Sequence, residues 1–191
     1  YRDHGYLGKG LYPTLHRYAS NIDLLITEGT TLKRGDLCIQ ESEVSRRMAC
    51  VMSAFKYVIV LASATDIERL ASVKTAALKA RKGLYYTGGM MGRAMQIFTH
   101  REAKTSKGLF AFHFKYVGED DPKLGEMQKK GFVLVTGASH LDFVKKMCQG
   151  LSSSEVLLIY SAWDGYYKDP LQVKQNPAYR DFREAFSNVV D

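Results

Sequence analysis

Glu28 closes the run Asn21–Leu32, NIDLLITEGTTL, and is followed at once by Gly29 and two threonines. Ile22, Leu24, Leu25 and Ile26 read as a buried strand. An apolar run that stops at an acid and a glycine outlines a parallel strand feeding a functional loop. Chemistry in such sheets collects at the carboxyl ends of the strands, which makes Glu28 the first candidate for a catalytic role. The same acid equally fits a solvent-facing βα loop or a turn that binds its own backbone.

Two further strand ends carry useful side chains. Ser63-Ala64-Thr65-Asp66 follows an apolar strand, and Arg69 falls in the first turns of the next helix. Arg69 could reach a phosphate. The hydroxyls suit simple helix caps, and the arginine also suits solvent. Ser161-Ala162-Trp163-Asp164-Gly165-Tyr166 places the chain's one tryptophan beside an acid, a glycine and a tyrosine. The rings of Trp163 and Tyr166 could stack on a base or could equally fill a domain boundary.

Other motifs are weaker. Thr87-Gly88-Gly89-Met90-Met91-Gly92-Arg93 sets glycines between a strand and a helix, where backbone N–H groups could cradle an anion. It fits neither the P-loop nor the dinucleotide fingerprint, and a turn with close helix packing explains it as well. His4, His16, His100, His113 and His140 show no HxH, HxxxH or HxxEH spacing, so no metal site is assembled from sequence neighbours. His113 alternates with aromatic residues in a strand, as a satisfied core or surface histidine does. His140, in VTGASHLDF, is the histidine best placed for function. No Ser/His/Asp or Cys/His arrangement follows from spacing alone.

The elements that must position these residues alternate between strand and helix. A short helix around Leu11–Ala19 precedes the Glu28 strand, and Val44, Met48, Val51, Met52 and Phe55 repeat on one helical face. Strands are expected over Tyr57–Ser63, GLYYTGG from Gly83, the aromatic LFAFHFKYV of Leu109–Val117, Gly131–Gly137 and Val156–Tyr160. Thr65 and Glu68 form a capping box for a helix lined by Ile67, Leu70, Ala71, Ala77 and Leu78. Another helix runs from about Met90 to Thr99, Ser139 caps the one carrying Leu141, Val144, Met147 and Cys148, and Phe182, Phe186, Val189 and Val190 line a terminal helix after Pro177. The pattern is that of an α/β sandwich, a mainly parallel sheet flanked by helices.

With 191 residues and a formal charge of +7, the chain is long enough for a proper core and permits an anionic partner. Most of the basic pairs Arg46-Arg47, Arg81-Lys82, Lys129-Lys130 and Lys145-Lys146 are expected near helix ends, where cations complement the dipole. No apolar run reaches the length of about 20 residues that a membrane-spanning helix needs. Cys38, Cys50 and Cys148 have no paired spacing and suit reduced, mostly buried thiols in the cytoplasm. The start at Tyr1 without Met points to a processed or excised chain.

Taken in order, four stretches resemble one family. YRDHGYLG is similar to the stretch after the Gly-Asp metal ligand of metallo-β-lactamase-fold hydrolases of the β-CASP group. LLITEGTTL resembles their acidic strand end, of the form LIxES/GT. VIVLASATDIERLASVKTAA resembles the segment that opens the inserted β-CASP domain, and VLLIYSAWDGY its later strand with a Ser-Gly-Tyr type turn. The family's HxHxDH motif is absent here. Its Asp ligand would precede Tyr1, and its Ser-Gly-His and His-Gly turns would follow Asp191. His140 lies on the wrong side of the SAWDGY strand to take their role.

The resemblance implies a β-CASP-like, Rossmann-like fold, with residues 1–38 a piece of the metallo-β-lactamase-like core and 39–191 the β-CASP-like domain. It implies a zinc-dependent phosphodiesterase or ribonuclease in which two zinc ions activate water. Their ligands would lie outside this chain, which alone would be inactive. Glu28 would orient a ligand or the water, while Ser63, Thr65, Arg69, Ser161, Trp163 and Tyr166 would line the cleft for RNA or another nucleic acid. The remaining metallo-β-lactamase core would be a partner. The alternatives are a non-catalytic nucleotide- or nucleic-acid-binding α/β module, a Toprim-like domain with Glu28-Gly29 at its first strand end, and a domain that forms homodimers through its aromatic surface.

Overall fold

The computed structural model describes Tyr6 and residues 11–24, 39–102 and 108–191. Among these residues six strands, β1 (Tyr57–Ala62), β2 (Gly83–Tyr86), β3 (Lys115–Tyr116), β4 (Phe132–Thr136), β5 (Val156–Ser161) and β6 (Val189–Val190), form one sheet in the order β3-β2-β4-β1-β5-β6. Every pairing is parallel. The central strands YVIVLA, FVLVT and VLLIYS are apolar along both faces because both faces are covered.

Alternation along the strands divides the core in two. Val58, Val60, Val133, Val135, Leu157 and Ile159 pack with α2 (Glu41–Ala54), α3 (Ile67–Lys79) and α4 (Gly89–Glu102) through Met48, Met52, Leu70, Val73, Met91 and Met95. Tyr57, Ile59, Leu61, Phe132, Leu134 and Leu158 face α5 (Leu124–Lys130), α6 (Leu141–Cys148) and α9 (Pro177–Glu184) through Met127, Phe143, Val144 and Phe182. Two short helices, α7 (Gly165–Lys168) and α8 (Pro170–Gln175), lie between β5 and α9, and α1 (Leu11–Tyr18) precedes the sheet.

Several local expectations need correction. Ile22 and Leu24 are exposed, at 38% and 76%, beyond a 3-10 turn at Ala19–Asn21, so the start of NIDLLITEGTTL is not a buried strand. Leu25, Ile26 and Glu28 lie outside the described residues, as does Cys38. Cys50 is exposed, and only Cys148 among the described cysteines is partly buried. The aromatic segment pairs only at Lys115–Tyr116, although Phe110, Phe112 and Phe114 alternate inward as expected and His113 outward. Asp66, not Thr65, caps α3, accepting from the Arg69 N–H at 3.1 Å. Ser139 caps nothing: a 3-10 turn at Ala138–His140 leads into α6. Val189 and Val190 leave the terminal helix and pair with β5, because β-branched residues fit a sheet edge better than a frayed helix end. Arg46 and Arg47 sit on α2 beside Glu43, at 2.7 and 2.8 Å, rather than at a helix end.

Gly131 joins α5 to β4 with φ of 77°, and a Cβ there would come within 2.6 Å of the Lys56 carbonyl oxygen. That carbonyl also accepts from Phe132 N–H at 3.2 Å, so it cannot retreat. Gly131→Ala is therefore expected to lower stability by about 2–4 kcal/mol, read as the shift in a urea unfolding midpoint. A change below about 0.5 kcal/mol would show that the turn relaxes freely.

Candidate functional site: the β1/β5 crevice

From β1 the chain passes through α3 to β2 on one side, while from β5 it passes through α7, α8 and α9 to β6 on the other. Adjacent strands whose connections diverge leave a crevice at their carboxyl ends, the usual ligand position in open α/β sheets. β1 and β5 end in register, with Ala62 opposite Ser161. Ser63-Ala64-Thr65 and Ser161-Ala162-Trp163 therefore leave the sheet side by side. Ser63, Arg69, Ser161, Trp163 and Tyr166 line a hollow of about 380 Å³ there. Thr65 joins them through its hydroxyl, 2.9 Å from Ser63 Oγ, and its N–H donates to the same oxygen at 3.3 Å. The structure thus brings together six side chains singled out in the sequence; the seventh, Glu28, is outside the described residues.

Arg69 is held from behind by a residue the sequence did not single out. Its Nε donates to both carboxylate oxygens of Glu41 at 3.2 Å, and Nη2 donates to Oε1 at 2.8 Å. Nη1 donates to Ser161 Oγ. Glu41 is the first residue of α2 and is buried; Ser72 Oγ donates to its Oε2 at 2.6 Å, and Tyr6 OH lies 3.2 Å from Ser72 Oγ. Burial works against the Arg69 charge, but the hydrogen bonds and field of Glu41 outweigh it and keep the guanidinium above its ordinary pKa. Arg69 is thus a fixed cation whose charge Glu41 largely cancels. Three of its five N–H donors are used in these bonds, leaving two for a ligand or water.

The lip of the crevice is aromatic. Trp163 is 44% exposed and meets Tyr166 edge-on at 5.5 Å, and Tyr166 stacks on Tyr179 at 4.3 Å with 17° between the planes. Gly165 is buried beneath the indole; a Cβ there would come within 2.4 Å of the ring. The glycine of SAWDGY is needed for that close approach, which presents the rest of the indole outward.

Two hollows adjoin the crevice. One of about 540 Å³ runs over the carboxyl ends of β1, β2 and β4, sharing Ser63 and Tyr179 with the crevice and adding Thr87, Gly88, Ser139 and His140. His140 Nδ1 lies 3.1 Å from Ser139 Oγ, and its ring rests on Gly88, where a Cβ would come within 2.7 Å. The other, about 720 Å³, opens between α2 and the β5–β6 edge and shares Asp66, Arg69 and Ser161. Arg69 stands as the partition between it and the crevice.

Among the described residues, no group of three or more His, Cys, Asp or Glu side chains is placed to hold a metal ion. The described residues do not fit a zinc centre, and no chemical step is assigned to one among them. Burial raises the Cys148 thiol to about 11, which leaves it unreactive. No helix among the described residues is long and apolar enough to cross a membrane. No protein-family model matches the chain, and no curated protein matches it.

Glu41 escaped sequence reading because an acid at the start of a helix is the ordinary complement to its dipole. Its partner lies 28 positions downstream, a separation with no periodic signal. Removing the carboxylate strands a desolvated cation, so Glu41→Ala is expected to cost about 3–5 kcal/mol in chemical denaturation. Glu41→Leu combined with Arg69→Met should recover most of that loss. A single variant that loses under about 1 kcal/mol, or a pair no better than the single, would remove the clasp from the stability of the site.

Proposed function

We propose that this chain forms one wall of the substrate cleft of a zinc-dependent phosphodiesterase or ribonuclease of the metallo-β-lactamase-fold, β-CASP group. The reading is supported by one observation above all: hydroxyls from two strand ends and an exposed indole converge on a single crevice at the switch point of a parallel sheet. A nucleic acid strand offers phosphate oxygens for the first set and a π face for the second. The four-stretch resemblance in the sequence supplies the reaction class.

On this reading residues 39–191 are the β-CASP-like domain and residues 1–38 a piece of the metallo-β-lactamase-like core, with the rest of that core as partner. Zinc, held by side chains outside this chain, would supply the activated water. Ser161, and whichever of Ser63 and Thr65 does not donate to the other, donate to non-bridging phosphate oxygens. Trp163 stacks on a base, with Tyr166 and Tyr179 bracing it. Arg69 fixes the Ser161 hydroxyl more than it attracts phosphate, because Glu41 already balances its charge. The chain by itself binds and orients; it does not cleave.

A second reading, a nucleotide-binding module without catalysis, draws on the hollow beside Gly88 and the start of α4, large enough for a mononucleotide. The single tryptophan makes the readings separable, since its fluorescence reports on the crevice directly. Titration with a short single-stranded oligonucleotide is expected to quench Trp163. Trp163→Ala should weaken binding by about tenfold to a hundredfold, the worth of one stacked base. Unchanged emission together with unchanged affinity in Trp163→Ala would refute the cleft. A mononucleotide that binds as tightly as the oligomer would favour the second reading. Plasma mass spectrometry of this polypeptide is expected to show no stoichiometric, tightly held zinc; finding it would overturn the assignment of the ligands to other sequence.

A further inference from the structure

A parallel sheet sends every helix back toward its amino-terminal rim, opposite the crevice. On that rim β1, β4 and β2 start side by side, with Tyr57 and Gly83 both in register with Phe132. The residues that lead into them, or end the helices before them, are basic: Lys56 before β1, Lys79 closing α3, Arg81 and Lys82 before β2, Lys129 and Lys130 closing α5. They are contiguous, since Lys82 Nζ donates to the Lys56 carbonyl at 3.2 Å and Gly131, next to Lys130, packs on that same carbonyl. All but Lys82 are exposed.

Among the described residues two carboxylates are tied to these six cations, Glu126 at 2.6 Å from Lys130 Nζ and Glu155 within the field of Lys56. Four positive charges remain. The helix dipoles account for part of them: α2, α3 and α5 end at this rim, each worth about half a negative charge. That balances about one and a half, so an excess of more than two charges stays unmatched. A protein partner would need an apolar centre, and the described part of the rim offers little beyond the exposed Leu78. A phosphate backbone needs only cations.

We propose that this amino-terminal rim is a second, electrostatic docking surface for the backbone of a nucleic acid, separated from the crevice by the length of the strands, about 17–20 Å. It shares a ligand class with the proposed function but stands on different residues. A strand long enough to span both ends is held by base stacking at one and by phosphate pairing at the other.

The test compares the 191-residue chain with Lys79→Gln/Arg81→Gln/Lys129→Gln, leaving Lys56 and Lys82 to their structural contacts. Affinity for a long single-stranded RNA is measured from roughly 50 to 200 mM salt. The triple variant is expected to flatten the log–log salt slope by about two, at about 0.7 per lost phosphate contact. Each single replacement should flatten it by about 0.7, which serves if the triple variant folds poorly. Lys79→Arg/Lys129→Arg should keep the parent slope. Quenching of Trp163 by a short oligonucleotide should be the same in all, so failure of the rim and failure of the crevice are read separately. An unchanged slope overturns the proposal, and if the melting temperature falls at the same time, the cations serve the helix ends alone. A parent chain that binds no long RNA, or binds polyglutamate as tightly, also overturns it, the latter in favour of an acidic protein.

Discussion

The Glu41–Arg69 pair is the contact on which the geometry of the crevice rests. A guanidinium taken largely out of water costs several kcal/mol unless a carboxylate meets it with good geometry. Glu41 does so through both oxygens, and Ser72 occupies one of them as well. The pair therefore contributes little net stability against an apolar substitute, yet breaking one half of it is expensive. Its value is positional. It fixes the start of α2 against the first turn of α3 and, through Nη1, both of them against the end of β5. Three elements distant in sequence are registered at one point, and the Ser161 hydroxyl is oriented as a result.

The same parallel topology separates the molecule into two chemically different ends. Strand carboxyl ends collect short polar side chains and glycines, where loops must turn tightly and backbone N–H groups are free. Strand amino ends collect the helix carboxyl termini, which favour lysine and arginine. Dipole complementation thus explains why basic residues are tolerated at the rim, but not their full number. The crevice, with its one strong cation already paired, presents mostly neutral donors and rings.

Much of this was legible in the sequence. Continuous apolar runs flanked by helical periodicity gave β1, β4, β5 and the helices between them, because strands buried on both faces leave no other signature. The strand-end motifs at Ser63 and Ser161 were visible for the same reason: polar residues stand out where an apolar run stops. Their meeting across the sheet follows from β5 pairing with β1, a crossover that periodicity does not encode. Caps were misread where two adjacent residues competed for one role, as with Thr65 and Asp66, since either side chain can reach the first free N–H groups. The aromatic segment of Phe110, Phe112 and Phe114 alternates like a strand yet pairs only at its end, because inward burial of alternate rings suffices to hold an extended chain. Glu41 and Tyr179 were invisible because their partners are set by tertiary contact alone.

The arrangement of Trp163 argues for contact rather than for mere filling. A ring that served only to complete a core would be covered, and Tyr160, one strand position earlier than Ser161, shows what covering entails. It is 3% exposed, its hydroxyl finds no hydrogen-bond partner among the described residues, and burial drives its phenol well above the ordinary range. The chain tolerates that cost to close the face beneath α9. Three residues later the larger indole is left 44% exposed, although the buried Gly165 packs against it as tightly as any core residue would. A backbone narrowed to glycine to seat a ring that is then left open spends packing precision on orientation. That is the arrangement expected where the missing neighbour is another planar group, supplied from outside the chain.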